Sequence, residues 1–451
     1  MKGIYSRRCW LDNKLQEATI YFNGGVITQI QKGKPNSFEN IDNVGEYVLM
    51  PGVIDAHVHV NEPGRTDWEG FDTATQAAAA GGITTIVDMP LNASPVTTTV
   101  KALKEKLAVT EGKLHVNCGF YGGLIPGNQN ELEALIKRGV LGVKAFLTHS
   151  GIEEFPNVGE KELNEAMPII AKYNLPLLVH CELTDENNNA DLFLHPTSYE
   201  SYLSSRPKSW ENNAITLMIS LCERHHCKTH IVHVSSAEAL RLIKKAKETG
   251  LKLTAETCPH YIFFNAEIIP DSSTIYKCAP PIREKINNDL LKDALNEGML
   301  DFIASDHSPA PPGIKEIESG NVQKAWGGIA GLQFLLSASW SSLKEMMPLE
   351  KFIPLLTEKP AQFLQVDKQK GFIKEGHDAD FTIWAPEENF IVKEESIFHK
   401  HKISPYVSQQ LSGVVHQTIV NGITIFRDKK IVETNTKPGR ILLSKMFREY
   451  K

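Results

Sequence analysis

The sequence predicts an α/β fold, a (β/α)₈ TIM barrel with a small β-sandwich domain formed by both chain termini. Between residues 51 and 365, apolar or β-branched runs alternate with helical patterns over a length that suits such a barrel. Short strand-like runs separated by turns occupy residues 1–50 and return over residues 366–451. We therefore expect residues 51–365 to form the barrel and residues 1–50 plus 366–451 to form the small domain.

The small domain is predicted from paired strand-like runs. Asn23-Gly24-Gly25 separates Ala18–Phe22 from Val26–Ile30, a pattern typical of a hairpin. Near the other end, Asp380–Ala385 and Val414–Val420 have the same β-rich texture. These runs predict one β domain built from both termini.

The barrel is predicted from eight runs that each suit a strand buried on both faces. They are Val53–Val60, Ile83–Met89, Leu114–Phe120, Val143–Leu147, Leu177–Cys181, Thr229–Val234, Leu253–Thr257 and Phe302–Ser305. Helical patterns lie between most of them, for example at Asn130–Lys137, Glu160–Lys172 and Ser236–Lys247. A doubly wound open sheet is the alternative, but no Gly-x-Gly-x-x-Gly follows any run, which disfavours dinucleotide binding.

Composition limits the partners and the compartment. A net charge of −6 and a pI near 6.3 provide no basic surface for nucleic acid or an anionic membrane. The 7 cysteines have no paired spacing, which favours reduced thiols. We expect a cytoplasmic enzyme with a small-molecule substrate.

The most informative motif is Asp55-Ala56-His57-Val58-His59 at the end of the first barrel run. Side chains alternate along a strand, so His57 and His59 point the same way and can bind one metal ion. A second His-x-His, His399-Lys400-His401, lies in a charged irregular segment and is predicted to be solvated.

Further polar residues lie at the ends of other barrel runs, where barrel enzymes place their catalytic groups. They are Lys144, His180, His233 and Asp306. Any one of them could be a hydrogen-bonded rim group. Together with His57 and His59, however, they make six such residues on five strand ends, which favours a shared site. We expect Asp306 to ligate a metal and to accept a proton from water.

Lys144 needs a special explanation, because burying an ammonium group is costly. A Schiff base and a general base are two possible roles. A third is carbamylation by carbon dioxide, which creates a carboxylate-like group that can bridge two cations about 3.5–4 Å apart. In that arrangement His57 and His59 hold one metal and His180 and His233 the other.

With these residues in place, the chain resembles the cyclic amidases of the amidohydrolase superfamily, which include dihydroorotases, hydantoinases, dihydropyrimidinases and allantoinases. The resemblance extends from Pro51-Gly52-Val53-Ile54-Asp55 to Asp378–Ile383. It implies two metal ions, usually Zn²⁺, held by His57, His59, Lys144 (as N6-carboxylysine), His180, His233 and Asp306. It also implies attack by a metal-bridging hydroxide, and a homotetramer.

Within this group, two positions and three strings indicate the substrate. Dihydroorotases carry an Arg that binds the substrate carboxylate where this chain has Asn61, which predicts a neutral ring. Hydantoinases typically place a Tyr where this chain has His149. The strings at 61–71, 88–92 and 146–158 resemble allantoinases, which open the ring of allantoin to give allantoate in purine (ureide) catabolism.

Two alternatives remain, a hydantoinase or dihydropyrimidinase and a non-catalytic relative that has lost metal ligands, and the complete ligand set disfavours the second. Asn92 could bind substrate or cap a turn beside Pro90. The residues expected to contact substrate are Asn61, Asn92, His149, Cys278, Ser308 and Gly327.

Overall fold

The computed structural model describes residues 2–184 and 194–444. Eight parallel strands form the barrel, and all of them fall within or next to the predicted runs. They are Val53–Val58, Ile83–Asp88, Asn117–Phe120 with Gly122–Gly123, Val143–Phe146, Pro176–His180, Lys228–Ile231, Leu253–Thr257 and Phe302–Ile303. The predicted (β/α)₈ barrel is therefore confirmed.

The pairing of the strands closes the barrel. The first three strands pair in sequence, and the fourth to the eighth do the same. The third strand reaches the fourth through the pairs Val143↔Gly122 and Lys144↔Gly123. A parallel bridge between Val58 and His307 joins the last strand to the first. Closure brings the C-terminal ends of all eight strands to one rim.

Helices cover the outside of the barrel. The α-helices are Phe71–Ala80, Val100–Ala108, Gln129–Lys137, Glu160–Lys172, Tyr199–Ser205, Lys208–His225, Leu240–Glu248, Pro259–Phe263, Lys285–Asn296, Leu335–Leu343, Leu349–Phe352 and Glu358–Phe363. Short 3₁₀ turns occur at Ala237–Ala239, Ala266–Ile268, Thr274–Tyr276, Leu332–Phe334, Ile353–Leu355 and Glu394–Ser396. In the described parts of the chain, no helix is long and apolar enough to cross a membrane.

A nine-stranded sheet is built from both ends of the chain. Its order is Lys430–Ile431, Ile423–Arg427, Gln410–Val420, Phe381–Ile391, Val48–Pro51, Lys2–Leu11, Lys14–Asn23 and Val26–Lys32, with Ile41–Asn43 beside Lys2–Leu11. The two ends meet where Val48–Pro51 pairs antiparallel with Phe381–Ile391. The predicted hairpin is confirmed, because Asn23 pairs with Val26. Division of the chain at residues 50/51 and 365/366 stays a prediction.

One connection of this sheet crosses onto the barrel. It is the 397–404 segment, between the strands Phe381–Ile391 and Gln410–Val420. The Lys400 amide donates to the Glu69 carboxylate at 3.1 Å, and the Ser404 hydroxyl donates to the Ala330 carbonyl at 2.6 Å. The predicted solvation of His399 is wrong. Its side chain is fully buried, with its ring 5.5 Å from that of His307, because the barrel loops cover it.

A buried ion cluster joins the barrel to the small domain. Lys370 donates to Asp378 at 2.7 Å and to Asp380 at 2.6 Å, and only 3% of its side chain is exposed. Asp380 also accepts from the side chain of Asn117, in the third barrel strand, and from the backbone of Asn421. The cluster therefore ties strands of both parts to one carboxylate.

We expect Lys370→Met to lower the free energy of unfolding by about 3–5 kcal/mol, because it leaves the buried Asp380 and the partly buried Asp378 without their cation. Urea unfolding followed by far-UV circular dichroism measures the change. The control is Lys368→Met, since the Lys368 side chain is 75% exposed and its ion pair should contribute little. Equal effects of the two substitutions would contradict the role of the cluster.

Candidate metal centre

A cavity of about 1080 Å³ opens at the C-terminal rim of the barrel. All six predicted metal ligands line it: His57, His59, Lys144, His180, His233 and Asp306. Lys144 lies within the fourth barrel strand, and the other five come from the last residues of a strand or the few residues after it, where closure of the barrel makes the strand ends converge.

His57, His59 and Asp306 form a group whose possible ligand atoms lie within 4.8 Å of one another. Oδ1 of Asp306 is 3.2 Å from Nε2 of His57 and 3.4 Å from Nε2 of His59. All three residues are buried. Imidazole and carboxylate are ligands that Zn²⁺ accepts, so the group can hold a metal ion.

His180 and His233 form a second pair in the same cavity. Nδ1 of His180 is 3.0 Å from Nε2 of His233, and the ring centroids are 4.7 Å apart. The other nitrogen of His180 contacts Glu182 at 2.8 Å, and Arg206 also donates to Glu182. Burial raises the pKa of Glu182, but the charge of Arg206 and the hydrogen bond with His180 outweigh burial and lower this pKa to about 2. A permanent carboxylate therefore orients His180.

Lys144 lines the same cavity as these two groups. Its side chain is fully buried, its Nζ lies 5.1 Å from the Phe146 ring centroid, and within the described residues this Nζ has no hydrogen-bond partner. Burial lowers the pKa of Lys144 to about 8, although Asp306 acts in the opposite direction. The neutral amine is therefore more accessible near physiological pH than that of an exposed lysine, although the ammonium form still predominates.

The buried histidines are also kept neutral. Burial, and then Lys144, hold the pKa of His57 well below its ordinary value. Burial, and then His180, do the same for His233, and burial lowers the pKa of His180. Neutral imidazole is the form that ligates metal, so no proton has to be displaced before binding.

The backbone is unusual at two of the ligands. His233 has φ of 40° and Asp306 has φ of 45°, a region that non-glycine residues rarely adopt. Both residues follow the last paired residue of a strand, where the chain turns into a loop. Such strain persists where the surrounding structure enforces a particular side-chain direction.

A layer of polar residues below the ligands escaped the sequence analysis. Glu256, in the seventh barrel strand, contacts Nδ1 of His57 at 2.5 Å. Burial raises the pKa of Glu256 to about 8, against the opposing effect of Lys144. Asp55 accepts from the backbone amides of His57 and Ser305. A carboxylate within an otherwise apolar run is the pattern that could have indicated Glu256.

Four of the six expected substrate contacts line the cavity: Asn92, His149, Ser308 and Gly327. Asn61 and Cys278 are not among the lining residues. Asn61 is fully buried with φ of 67°, and its amide donates to the Pro309 carbonyl at 3.3 Å. The carbonyl of Cys278 accepts from the Tyr202 hydroxyl at 2.7 Å.

Other lining residues were missed because they belong to loops without strand-like patterns. Arg65 donates to Glu154 at 2.7 Å and to the carbonyl of Asn92. Trp68 packs edge-to-face on Trp326 with ring centroids 4.9 Å apart. These contacts connect the loops after the first, second, fourth and eighth barrel strands around the cavity mouth.

The residues of the cavity fit bound metal. Nε2 of His57, Nδ1 of His233 and Nζ of Lys144 are buried, and no described residue forms a hydrogen bond with any of them. Buried polar atoms normally have partners, so their convergence points to a ligand that they share. A closed eight-stranded barrel with this His/Asp group defines a metal-dependent hydrolase of the (β/α)₈ class.

The chain belongs to the amidohydrolase family, whose model matches residues 48–425. It is 42% identical to a probable allantoinase of Oryza sativa subsp. japonica and to an allantoinase of Arabidopsis thaliana. Each alignment covers 95% of this chain and 88% of the relative. It is 38% identical to an allantoinase of Saccharomyces cerevisiae, over 93% of this chain and 91% of that one.

Solved structures agree on the fold. An L-hydantoinase (dihydropyrimidinase) from Arthrobacter aurescens superposes with a TM-score of 0.91 at 28% identity, covering 98% of this chain and all of that one. A dihydropyrimidinase from Brevibacillus agri gives a TM-score of 0.88 at 26% identity, covering 98% of both chains. The barrel and the sheet from the two termini are therefore a shared architecture.

Proposed function

We propose that this protein is an allantoinase that opens the five-membered ring of allantoin by hydrolysis, giving allantoate in purine (ureide) catabolism. The observation that carries the proposal is 42% identity to proteins named allantoinase over 95% of the chain. A hydantoinase or dihydropyrimidinase is the second candidate, favoured by the TM-score of 0.91. Its 28% sequence identity makes it the weaker one.

Two Zn²⁺ ions are proposed for the cavity, one held by His57 and His59 and the other by His180 and His233, with Asp306 as a further ligand. When bound, such metals polarise the amide carbonyl and lower the pKa of water from 15.7 to about 7. The support is the set of neutral imidazoles that face one cavity.

Lys144 is proposed to be carbamylated and to bridge the two metals. Its neutral amine would attack carbon dioxide, forming a C–N bond and releasing one proton, which leaves a carbamate with two oxygens. The lowered pKa and the absence of a hydrogen-bond partner for Nζ among the described residues support this reaction. It would also remove an unpaired buried cation.

In the proposed reaction, Asp306 moves the proton. Its carboxylate accepts a proton from the water whose oxygen adds to the ring carbonyl carbon. It then gives that proton to the ring nitrogen as the C–N bond breaks. Its 8% exposure and the short distances from its Oδ1 to Nε2 of His57 and of His59 support this role.

The walls of the cavity suit a neutral ring. Arg65 is paired with Glu154 and Arg206 with Glu182, so both guanidinium charges are already balanced. We propose that Asn92, His149, Ser308 and Gly327 contact the substrate directly, because they line the cavity. For Asn61 and Cys278, which do not, we propose that they shape the wall through their neighbours.

Three further properties remain proposals. The homotetramer expected from the resemblance is tested by sedimentation velocity. A cytoplasmic location is supported by the 7 cysteines, all free and buried. The net charge of −6 supports a small-molecule substrate and no nucleic-acid or membrane partner.

A substrate panel tests the proposed activity. We expect the Zn²⁺-loaded enzyme to hydrolyse allantoin faster than hydantoin or dihydrouracil and to leave dihydroorotate intact, because no unpaired guanidinium replaces the missing Arg at Asn61. Product formation is followed by colorimetric assay of allantoate and by ring absorbance for the others. Faster turnover of hydantoin than of allantoin would favour the second candidate.

Lys144→Ala should abolish most turnover, because it removes the group that is proposed to bridge the metals. Short-chain carboxylic acids such as acetate or propionate should restore part of the activity by replacing the carbamate. Steady-state rates with and without these acids measure the effect. Lys172→Ala, which changes an exposed lysine of the helix Glu160–Lys172, is the control and should be neither impaired nor rescued. A bare Lys144 amine in a metal-loaded, active crystal would refute the bridge.

Asp306→Asn keeps the shape and one ligating oxygen but removes the base, so turnover should fall by about 10²–10⁴-fold. Metal content, measured by atomic emission, should fall only modestly. Asp289→Asn on the surface of the helix Lys285–Asn296 is the matched control. Near-normal turnover with full metal loading would assign the base elsewhere, with His307 as the next candidate.

A further inference from the structure

Glu256 contacts the metal centre from inside the barrel. It is fully buried in the seventh barrel strand, where it pairs in register with Phe302 of the eighth. Oε1 lies 2.5 Å from Nδ1 of His57. Its side chain therefore meets the first strand across the barrel interior, on the side of His57 that faces away from Asp306.

This contact decides which nitrogen of His57 is available. A neutral imidazole carries one N–H and one lone pair, and the partner of one nitrogen fixes the role of the other. With the Nδ1–H donated to Glu256, the lone pair lies on Nε2. That atom is 3.2 Å from Oδ1 of Asp306 and forms no hydrogen bond with any described residue.

Glu256 is itself held in place. Its Oε2 lies 3.2 Å from Nε2 of His230, whose Nδ1 contacts the Thr254 hydroxyl at 2.8 Å. The His230 ring stacks on Phe302 with centroids 5.1 Å apart and an interplanar angle of 4°. The His230 ring is thus fixed by packing and by the Thr254 contact, and it bounds the space beside Oε2 of Glu256.

We propose that Glu256 is a positioning residue of the metal centre, which accepts the Nδ1–H of His57 and thereby presents Nε2 to the metal. The inference rests on the proposed function, because it presumes that His57 ligates a metal ion. Glu256 would orient His57 in the way that Glu182 orients His180. Such carboxylate–histidine–metal arrangements fix the ring orientation and raise ligand basicity.

The test is the affinity of the full-length protein for Zn²⁺, measured by competition with a chromophoric chelator after metal removal. Glu256→Gln should weaken Zn²⁺ binding by about 10–100-fold, because a cation bound at His57 favours the ionised form of Glu256, and an amide cannot ionise and is a poorer acceptor. The Co²⁺-loaded variant should also show a shifted visible absorption spectrum, a signature that a purely structural defect would not produce. Thermal unfolding of the metal-free protein should remain close to that of the unmodified chain.

The control is Glu358→Gln, the same chemical change at a carboxylate that accepts from the Trp10 indole at 2.9 Å. Glu358 is not a lining residue of the cavity, so Zn²⁺ affinity should be unchanged. Equal affinities of Glu256→Gln and the unmodified protein would overturn the inference while leaving the allantoinase proposal intact. Failure of the unmodified protein to bind Zn²⁺ would overturn both.

If Glu256→Gln does not fold, a crystal structure of the Zn²⁺-loaded unmodified protein decides the question. Ligation by Nε2 of His57, with Nδ1 within hydrogen-bond distance of Glu256, supports the inference. A His57 ring turned so that Nδ1 faces the metal overturns it.

Discussion

The site depends on buried polar atoms that form no hydrogen bond with any described residue, namely Nε2 of His57, Nδ1 of His233 and Nζ of Lys144. An unsatisfied buried polar group costs about 1–3 kcal/mol, so an arrangement of several is stable only if the fold holds every one in place. Two of the four histidines are also oriented by buried carboxylates. Glu256 contacts His57, and Glu182 contacts His180. Arg206 in turn donates to Glu182, and Nε2 of His230 lies 3.2 Å from Oε2 of Glu256. Polar residues inside the barrel therefore orient the histidines at its C-terminal rim.

Much of this architecture could be read from the chain, for a simple physical reason. Parallel strands buried on both faces are continuous apolar runs, and all eight barrel strands fell within or beside such runs. The helix predicted at Glu160–Lys172 has those bounds in the structure. Strand alternation and barrel closure together also brought the six candidate ligands to one cavity.

Residues whose environment is set by distant contacts could not be predicted in this way. His399 is surrounded by charged neighbours in sequence, but its burial comes from barrel loops near Glu69 and His307, which only the folded chain supplies. Asn61 follows the His-x-His motif, yet its positive φ, its bond to Pro309 and its absence from the cavity lining could not be inferred from that motif. Glu256 lies in a predicted strand, but the run itself does not reveal that its neighbour is His57.

The 397–404 segment has a consequence for how this architecture can be taken apart or recombined. Its backbone contacts Glu69, in the loop after the first barrel strand, and its Ser404 contacts Ala330, in the loop after the eighth. The small sheet domain is thus part of the wall behind the catalytic rim and not an independent appendage. A barrel excised at its strand boundaries would lose that wall, and a chimera between relatives would need to exchange the segment together with both loops.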